Sequence, residues 1–322
     1  MRRATPVLRL PGREIAVDGT LVMGVVNASP ESFSDAGRFA SLEHQLQHCQ
    51  DLVDAGADVI DIGGQSAITN QPELDPSLER DRVLPLVEWM HGHHPGIVLS
   101  VDTYKPLVVD AVLAAGADLI NDVSGLAHPQ VAASCARHGA ALVVMHTRAR
   151  PKQRLQRADR YADPADDVLH FLAERSRAAV DAGLPEESLV LDPGPDFAKT
   201  PHQTVAVLRR LDEVRAFGRP VLLALSRKDF LGAVTGRAPR GRDAATAAAI
   251  AFFVAETARS GGGNIVRVHD VAAARDVIAT VEVLTGRRDL DPHYLLPDAI
   301  RHEPTGQSLP QTRATLSESA GV

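Results

Sequence analysis

The chain has 322 residues, of which 44% are apolar, so it can form one large or two ordinary domains with a buried core and is not disordered throughout. Its 34 Lys and Arg against 41 Asp and Glu give a formal net charge of −7, which offers no bulk attraction to nucleic acid or to an anionic membrane. With aromatic residues at 4%, a stacking platform for single-stranded nucleic acid is also disfavoured. Any anion site must therefore be local.

The beginning of the chain and its cysteines indicate where the protein resides. Residues 1–6 are basic and run into a proline without an apolar stretch, so we read no secretory signal. The longest nearly apolar stretch, residues 244–255, is too short to cross a bilayer and predicts a buried helix. The two cysteines, Cys49 and Cys135, are too few for a disulfide framework or a Cys-rich zinc site. We expect a protein of the reducing cytoplasm, with small molecules as partners rather than nucleic acid or membrane.

Residues 1–17 form the first unit in chain order. Residues 8–17 alternate between apolar and polar side chains around Pro11 and Gly12, a pattern that predicts a β-hairpin. We expect this hairpin to close the bottom of the domain that follows.

Eight short apolar runs follow, with a helix-like stretch between each pair. They are continuous rather than alternating, as is typical of strands buried on both faces of a parallel sheet. The ends of the first and last runs, Asn27 and Arg267, are 240 residues apart over seven steps, about 34 per step, the size of one strand–helix unit. The sequence therefore predicts an α/β fold, a (β/α)8 TIM barrel over residues 18–285. The runs are residues 21–27, 58–63, 97–102, 118–121, 141–146, 189–192, 221–225 and 265–269.

Two irregular segments lie outside this pattern. Residues 286–322 carry four prolines among polar residues and predict a mostly disordered tail. Between the fifth and sixth runs, residues 148–163 carry six basic side chains, which fit either a solvated loop of mutually repelling charges or a mobile lid that anions approach. These six are Arg148, Arg150, Lys152, Arg154, Arg157 and Arg160.

Polar residues end every one of the eight runs. Active sites of such barrels lie at the carboxyl ends of the strands. A single polar residue there often only caps the next helix, but eight together favour a site. The strand-end residues are Asn27, Asp61, Asp102, Asn121, His146, Asp192, Ser226 with Arg227 and Lys228, and Arg267 with His269.

This set of side chains indicates a class of ligand. The carboxylates of Asp102 and Asp192 and the carboxamide of Asn121 suit the donor edge of a flat heterocycle. The cationic members suit an anion; they are Lys228, Arg267 and His269. We therefore expect a hydrogen-bonded heterocycle beside a phosphate-like group.

Other catalytic templates fit poorly. Ser226 has no Gly-x-Ser-x-Gly elbow and no evident His–Asp partnership. Residues 194–200 lack the glycines of a phosphate loop, and the glycines at 261–263 precede a strand instead of following one. Three histidines could suggest a metal site, but their neighbours indicate an exposed helix end. They are His91, His93 and His94.

The strand-end motifs resemble those of the dihydropteroate synthase family over roughly residues 18–284. Seven stretches carry the resemblance, in the same order along the chain. They are residues 23–35 (MGVVNASPESFSD), 61–64 (DIGG), 100–103 (SVDT), 120–125 (INDVSG), 192–194 (DPG), 226–228 (SRK) and 267–271 (RVHDV).

The resemblance implies a pterin-binding enzyme that joins p-aminobenzoate to 6-hydroxymethyl-7,8-dihydropterin diphosphate and releases pyrophosphate, a step of folate biosynthesis. It also implies Mg²⁺ and a homodimer formed through barrel helices. By resemblance, Asn27 helps to hold the magnesium and the diphosphate, and Arg267 and His269 clamp the leaving group. The substrate-binding residues are then Asp102, Asn121, Asp192, Phe197 and Lys228. Lys228, Arg267 and His269 are the expected catalytic residues.

The chain departs from the family pattern in its loops. Ala67 and Ile68 replace a Thr-Arg pair, which removes a bidentate anion donor, so catalysis weakens unless Arg148 or Arg150 substitutes. The usual Gly-Phe-Gly-Lys appears as residues 196–199 (DFAK), which reduces backbone freedom and adds a negative charge. Residues 35–37 read DAG where DGG is usual, and Asp229 stands where Ser is common.

These departures leave alternatives to a dihydropteroate synthase, whether fully active or weakened. One is a diverged paralogue that binds a pterin or a related heterocycle without condensing p-aminobenzoate; Ala67 and Ile68 favour it. Another is methyl transfer from a methylated folate to a corrinoid, which the SRK and RVH motifs disfavour because they indicate diphosphate handling.

Overall fold

A β-hairpin opens the chain. The computed structural model describes residues 3–28, 42–65 and 72–302. Strands β1 (Val7–Leu10) and β2 (Arg13–Ala16) pair antiparallel, and Gly12 takes a φ of +69° in the turn between them. That left-handed conformation favours glycine, which explains why the alternation of residues 8–17 breaks there. The predicted hairpin is confirmed.

Eight parallel strands then close into a barrel. Each strand pairs with its neighbours in chain order, and the last pairs with the first, so the predicted (β/α)8 architecture is confirmed. The strand that follows Pro220 ends at Leu223, two residues earlier than predicted, ahead of a turn at residues 226–227. The strands are β3 (Gly19–Asn27), β4 (Val59–Gly63), β5 (Val98–Asp102), β6 (Leu119–Asp122), β7 (Ala141–Met145), β8 (Leu189–Asp192), β9 (Val221–Leu223) and β10 (Gly263–Val268).

Helices surround the barrel. Several begin at a side-chain cap: the Asp75 carboxylate accepts from Ser77 N at 2.8 Å, and Thr200 forms a capping box with Gln203. The helices are α1 (Leu42–Asp54), α2 (Pro76–His93), α3 (Pro106–Ala114), α4 (Gln130–His138), α5 (Pro164–Asp181), α6 (Pro201–Arg209), α7 (Leu211–Arg215), α8 (Asp229–Thr235), α9 (Asp243–Ser260) and α10 (Val271–Leu284).

The sequence predicted a buried helix at residues 244–255. This stretch lies in α9, but it is not buried on all sides. Ile250, Phe253 and Val254 face the barrel, whereas Phe252 is 56% exposed. The prediction was wrong because a run without charges carries no period from which an outer face could be read.

Of the helices in the described part of the chain, none is long and apolar enough to cross a membrane.

The hairpin closes the bottom of the barrel. Leu8 and Leu10, with 1% and 3% of their surface exposed, pack with Val17 against side chains from the first halves of the strands. A second apolar layer lies between the outer face of the sheet and the helices. With the bottom filled, the carboxyl ends of the strands are the open end of the barrel. Side chains in the lower layer include Met23, Val59, Val98, Leu119, Val143, Val190, Leu222 and Ile265.

Leu8→Ala is expected to lower the free energy of unfolding by about 2–5 kcal/mol, because it leaves a cavity under a closed barrel that relaxes little. Urea unfolding followed by circular dichroism measures the change. Leu290→Ala, at a side chain 67% exposed, should change stability by less than about 0.5 kcal/mol. Equal effects of the two substitutions would contradict the packing of the hairpin against the barrel floor.

Residues 285–302, which follow α10, are largely exposed. A short 3-10 turn at Asp298–Ile300 is their one regular element within the described chain. The rest of the predicted tail, residues 303–322, lies outside the described residues. The division into residues 1–17, 18–285 and 286–322, with a disordered tail, stays a prediction.

Candidate active site

The open end of the barrel holds a cavity of about 440 Å³. Its walls come largely from the ends of β5, β6, β7, β8 and β10 and from the loops that follow β7, β8 and β9. Six of the eight sequence-predicted site residues line it, although they come from distant parts of the chain. They are Asp102, Asn121, Asp192, Phe197, Lys228 and Arg267.

An ion-pair network forms one side of the cavity. Arg267 donates from Nε to Asp61 Oδ2 at 2.7 Å and from Nη2 to Asp102 Oδ2 at 3.1 Å. Asp61 is fully buried and also accepts from Ser100 Oγ at 2.6 Å and from Asn121 Nδ2 at 3.0 Å. The network holds the guanidinium and the carboxamide rigidly, which preorganises both for a ligand.

The Asn121 carboxamide leaves one acceptor unused. Its Oδ1 is buried and accepts no hydrogen bond from any residue in the described ranges. A buried polar atom without a partner costs about 1–3 kcal/mol, so such an atom in a cavity wall marks where a ligand donor fits. Asn121 lines the cavity together with Asp102, and its unpaired acceptor lies in that wall.

Burial sets the protonation of the cavity carboxyl groups. It raises the pKa of Asp102 to about 7, an effect that Arg267 opposes and that the charges of Asp61 and Glu79 reinforce. Burial also raises the pKa of Asp192 to about 6, although the hydrogen bond that Asp192 accepts from Gly194 N at 2.7 Å lowers this pKa. Both groups therefore titrate near neutral pH, which is typical of functional sites.

Phe197 and Lys228 form the opposite wall. The ammonium of Lys228 lies 4.4 Å from the centroid of the Phe197 ring, within cation–π range. Burial lowers the pKa of Lys228, and the neighbouring carboxylates of Asp196 and Asp192 oppose this. The two side chains come from the loops after β8 and β9, so their contact joins these loops.

Asp196 and Ala198 stand where the family pattern has glycines, and the backbone is strained there as the sequence suggested. Their φ values are +66° and +52°. The added charge of Asp196 has a structural use: its Oδ2 accepts from Asp229 N at 2.5 Å and from Phe230 N at 3.4 Å, in the first turn of α8. The carboxylate thereby fastens the loop after β8 to the loop after β9.

His146 and Lys199 lie behind the cavity wall. Lys199 is fully buried and donates from Nζ to His146 Nδ1 at 2.7 Å, to Gly194 O at 2.9 Å and to Phe197 O at 3.1 Å. Burial lowers the pKa of His146 to about 4, so its ring is neutral and donates from Nε2 to Asp167 at 2.8 Å. The cluster holds the loop that carries Phe197.

Sequence reasoning missed a second buried ion pair beside the cavity. Glu79 Oε2 lies 2.7 Å from Lys105 Nζ, and Glu79 Oε1 accepts from Thr103 Oγ1 at 2.6 Å. Lys105 Nζ also donates to Gln65 Oε1 at 3.2 Å. The one signal was the position of Thr103 and Lys105 directly after a strand-end aspartate. Ala67 and Ile68, and residues 35–37, lie outside the described residues.

Asn27 and His269 lie at the same end of the barrel but do not line the cavity. Asn27 is exposed at the end of β3. His269 is exposed after β10, and its Nδ1 lies 2.9 Å from Ser226 Oγ. In the described part of the chain no carboxylate bonds the other nitrogen of His269, so Ser226 and His269 do not form a nucleophilic triad.

Two of the three helix-end histidines make contacts within the fold. His93 stacks on Trp89 at 4.7 Å between ring centroids, and His94 Nε2 lies 3.0 Å from Gln50 Oε1. Among residues 3–28, 42–65 and 72–302, no three His, Cys, Asp or Glu side chains come together as metal ligands.

Comparisons with known proteins agree with this geometry. A family model described as pterin binding enzyme matches residues 23–269. A dihydropteroate synthase of Bacillus subtilis (strain 168) is 41% identical over 253 residues, which is 78% of this chain and 84% of that protein. A dihydropteroate synthase of Streptococcus pyogenes serotype M1 is 36% identical over 276 residues, 85% of this chain and 98% of its own.

Solved structures are similar over the same region. The Xanthomonas albilineans dihydropteroate synthase with 4-aminobenzoic acid has a TM-score of 0.78 at 36% identity, covering 87% of this chain and 98% of that one. The Yersinia pestis dihydropteroate synthase with a sulfonamide drug has a TM-score of 0.80 at 33% identity, covering 87% and 99%.

Proposed function

We infer the chemistry of the cavity from one premise: the chain belongs to the dihydropteroate synthase family of pterin-binding enzymes. It is a transferase of folate biosynthesis that condenses p-aminobenzoate with 6-hydroxymethyl-7,8-dihydropterin diphosphate and releases pyrophosphate. The amine nitrogen bonds to the pterin methylene carbon, the carbon–oxygen bond breaks, and the diphosphate leaves with the electron pair while the amine loses a proton.

The unpaired Oδ1 of Asn121 is the observation that carries the assignment of residues to this reaction. A pterin presents ring and amino N–H donors along one edge, and the cavity presents acceptors at Asp102, Asn121 and Asp192. These three residues hold the ring, with Lys228 and Phe197 on the other wall. Since Asp61 is fully buried and paired with Arg267, the ring edge meets the carboxylates of Asp102 and Asp192 instead.

Arg267 in the cavity wall holds the diphosphate as negative charge develops on it, and His269, outside the cavity at the same end of the barrel, is the second residue we assign to this group. Arg267 is already paired with two carboxylates, so its positive charge is oriented but partly compensated before substrate binds. Lys228 stands nearby as a second cation over Phe197. Stabilising the departing diphosphate by preoriented charge is the main catalytic effect expected for this reaction.

Mg²⁺ fits the residues at this end of the barrel. A magnesium ion bound to phosphate oxygens keeps several waters and needs one or two protein oxygens, rather than a cage of side chains. Asn27, exposed at the end of β3, would supply one amide oxygen. When bound, the ion would neutralise part of the diphosphate charge.

The test is pyrophosphate release from 6-hydroxymethyl-7,8-dihydropterin diphosphate with Mg²⁺, with and without p-aminobenzoate. We expect release that depends on p-aminobenzoate and yields dihydropteroate. Saturable pterin binding without such release would instead support a diverged paralogue that uses the pterin cradle for another purpose. Arg267→Gln should lower kcat with less effect on binding of unphosphorylated pterin.

We also propose a cytoplasmic homodimer. The outer face of α9 exposes Ala244, Ala248 and Phe252 at helical spacing, an apolar stripe on one of the barrel helices. Phe252→Glu is expected to convert the dimer to a monomer in size-exclusion chromatography with light scattering, whereas Leu290→Glu should leave it dimeric. A dimer that survives Phe252→Glu would show that this face is not the interface.

A further inference from the structure

The segment between β7 and α5, here called the basic segment, comprises residues 148–160. It carries six cationic side chains and one acidic one, Asp159, and residues 149–156 line the cavity. The sequence left open whether this segment is a solvated loop or a surface that anions approach. So much positive charge beside a cavity whose substrates are anions favours the surface that anions approach. Which anion it binds depends on where the segment lies.

The basic segment lies against the Phe197 wall. Just after the segment, Tyr161 donates from its hydroxyl to Ala198 O at 2.9 Å. Gln203 Nε2 donates to Arg157 O at 3.0 Å and to Ala158 O at 3.1 Å. Within the barrel, β7 is next to β8, which precedes the Phe197 loop, and lies across from β3 and β10, which carry Asn27 and Arg267. The segment thus lies beside the Phe197 loop and follows a strand across the barrel from those that carry the residues proposed for the diphosphate.

Apart from Lys228, the cationic side chains near the Phe197 wall are already paired. Arg227 is paired with Asp243 at 2.9 Å, and Arg242 is paired with Asp229 at 3.0 Å. Asp196 occupies the first-turn amides of α8. An acceptor whose aromatic ring lies along Phe197 and Lys228 therefore has acidic groups behind it.

Two arginines of the basic segment supply the missing charge. The guanidinium of Arg150 makes no hydrogen bond or ion pair with any residue in the described ranges, and that of Arg154 donates to the neutral Gln156 Oε1 at 3.2 Å. Arg148, in contrast, is held by Asp167 through two bonds of 3.0 Å. Guanidinium groups bind carboxylates through paired, charge-assisted hydrogen bonds.

We propose that Arg150 and Arg154 bind the carboxylate of the aryl amine acceptor and so determine that this site takes an anionic amine. The proposal rests on the proposed function, since it assigns a subsite of the same cavity. It differs from the earlier suggestion that Arg148 or Arg150 replaces a diphosphate ligand: Arg148 is already paired, and Arg150 lies on the opposite side of the barrel mouth from Asn27.

The test compares Arg150→Gln, Arg154→Gln and the double substitution, with p-aminobenzoate and the uncharged p-aminobenzamide as acceptors. The double variant is expected to raise the KM for p-aminobenzoate about 10- to 100-fold. The KM values for p-aminobenzamide and for the pterin diphosphate should stay within about twofold. Arg157→Gln is the matched control, because Arg157 belongs to the same segment but is paired with Asp159 at 2.7 Å and does not line the cavity.

A binding experiment distinguishes failure of this proposal from failure of the proposed function. Calorimetry of p-aminobenzoate with the full chain, in the presence of pyrophosphate and Mg²⁺, requires no turnover. Binding that weakens at least tenfold in the double variant supports the subsite even if no dihydropteroate forms. Three results would overturn the proposal. They are equal binding by the wild-type chain and the double variant, absence of binding by the wild-type chain, and a rise in the KM for the pterin diphosphate rather than for p-aminobenzoate.

Discussion

Asp192→Asn is expected to weaken pterin binding by roughly 3 kcal/mol, about 100-fold. Asp192 is buried at the end of β8, and its Oδ1 accepts from Gly194 N at 2.7 Å. An asparagine has one side-chain oxygen, so either the Gly194 amide or the pterin loses its acceptor, and the new NH2 group faces a donor. Calorimetry with 6-hydroxymethylpterin measures the loss without requiring turnover.

Asp122→Asn is the matched control for this substitution. Asp122 is equally buried, burial raises its pKa to about 6 as well, and its carboxylate accepts from Ser124 N at 2.7 Å, but it does not line the cavity. It should affect stability and leave the pterin affinity within about twofold. An unchanged pterin affinity in Asp192→Asn would remove Asp192 from the binding site.

The pH dependence of pterin binding follows from Asp192 and Asp102. Because burial raises the pKa of Asp102 to about 7 and that of Asp192 to about 6, the free site loses first the Asp102 carboxylate and then, below about pH 6, the Asp192 carboxylate. Affinity should then fall towards tenfold per pH unit for each carboxylate that the pterin requires. The effect on folding has the opposite sign: the folded chain binds the Asp192 proton more tightly than the unfolded chain does, so Asp192 contributes less stability as the pH rises through about 6.

Gly194→Ala should be among the most destabilising single substitutions, with an expected loss of at least about 4 kcal/mol. Gly194 has a φ of +64°, and a Cβ there would lie 2.1 Å from the carbonyl oxygen of His146, which is backbone and cannot rotate away. Relief of the clash would displace the loop that Lys199 holds in place. Urea unfolding measures the loss of stability.

Gly139→Ala separates the two causes of that loss. Gly139 ends α4 at a φ of +67°, almost the same conformation, but a Cβ there meets no atom within 4 Å. It should cost about 1–2 kcal/mol, the strain of the left-handed conformation alone. If both substitutions destabilise equally, the close approach to His146 is not what requires glycine at 194.

The sequence by itself determined the architecture and the end of the barrel where the chemistry lies. Continuous apolar runs at a regular spacing are local features, and a parallel barrel is the arrangement that buries both faces of such strands. The rule that strand ends converge then brought Asp102, Asn121, Asp192 and Arg267 to one cavity, as the structure places them. No side-chain contact had to be known for either inference.

The tertiary structure alone decided which of these polar groups face a ligand and which are used internally. His146 ends a strand like the others, yet it is buried with Lys199, 53 residues away in sequence. Arg267 is paired with Asp61 across 206 residues, and Asp196, an added charge in the sequence, caps α8. Such pairings depend on distances between side chains of distant segments, and a linear pattern of residue types does not contain them.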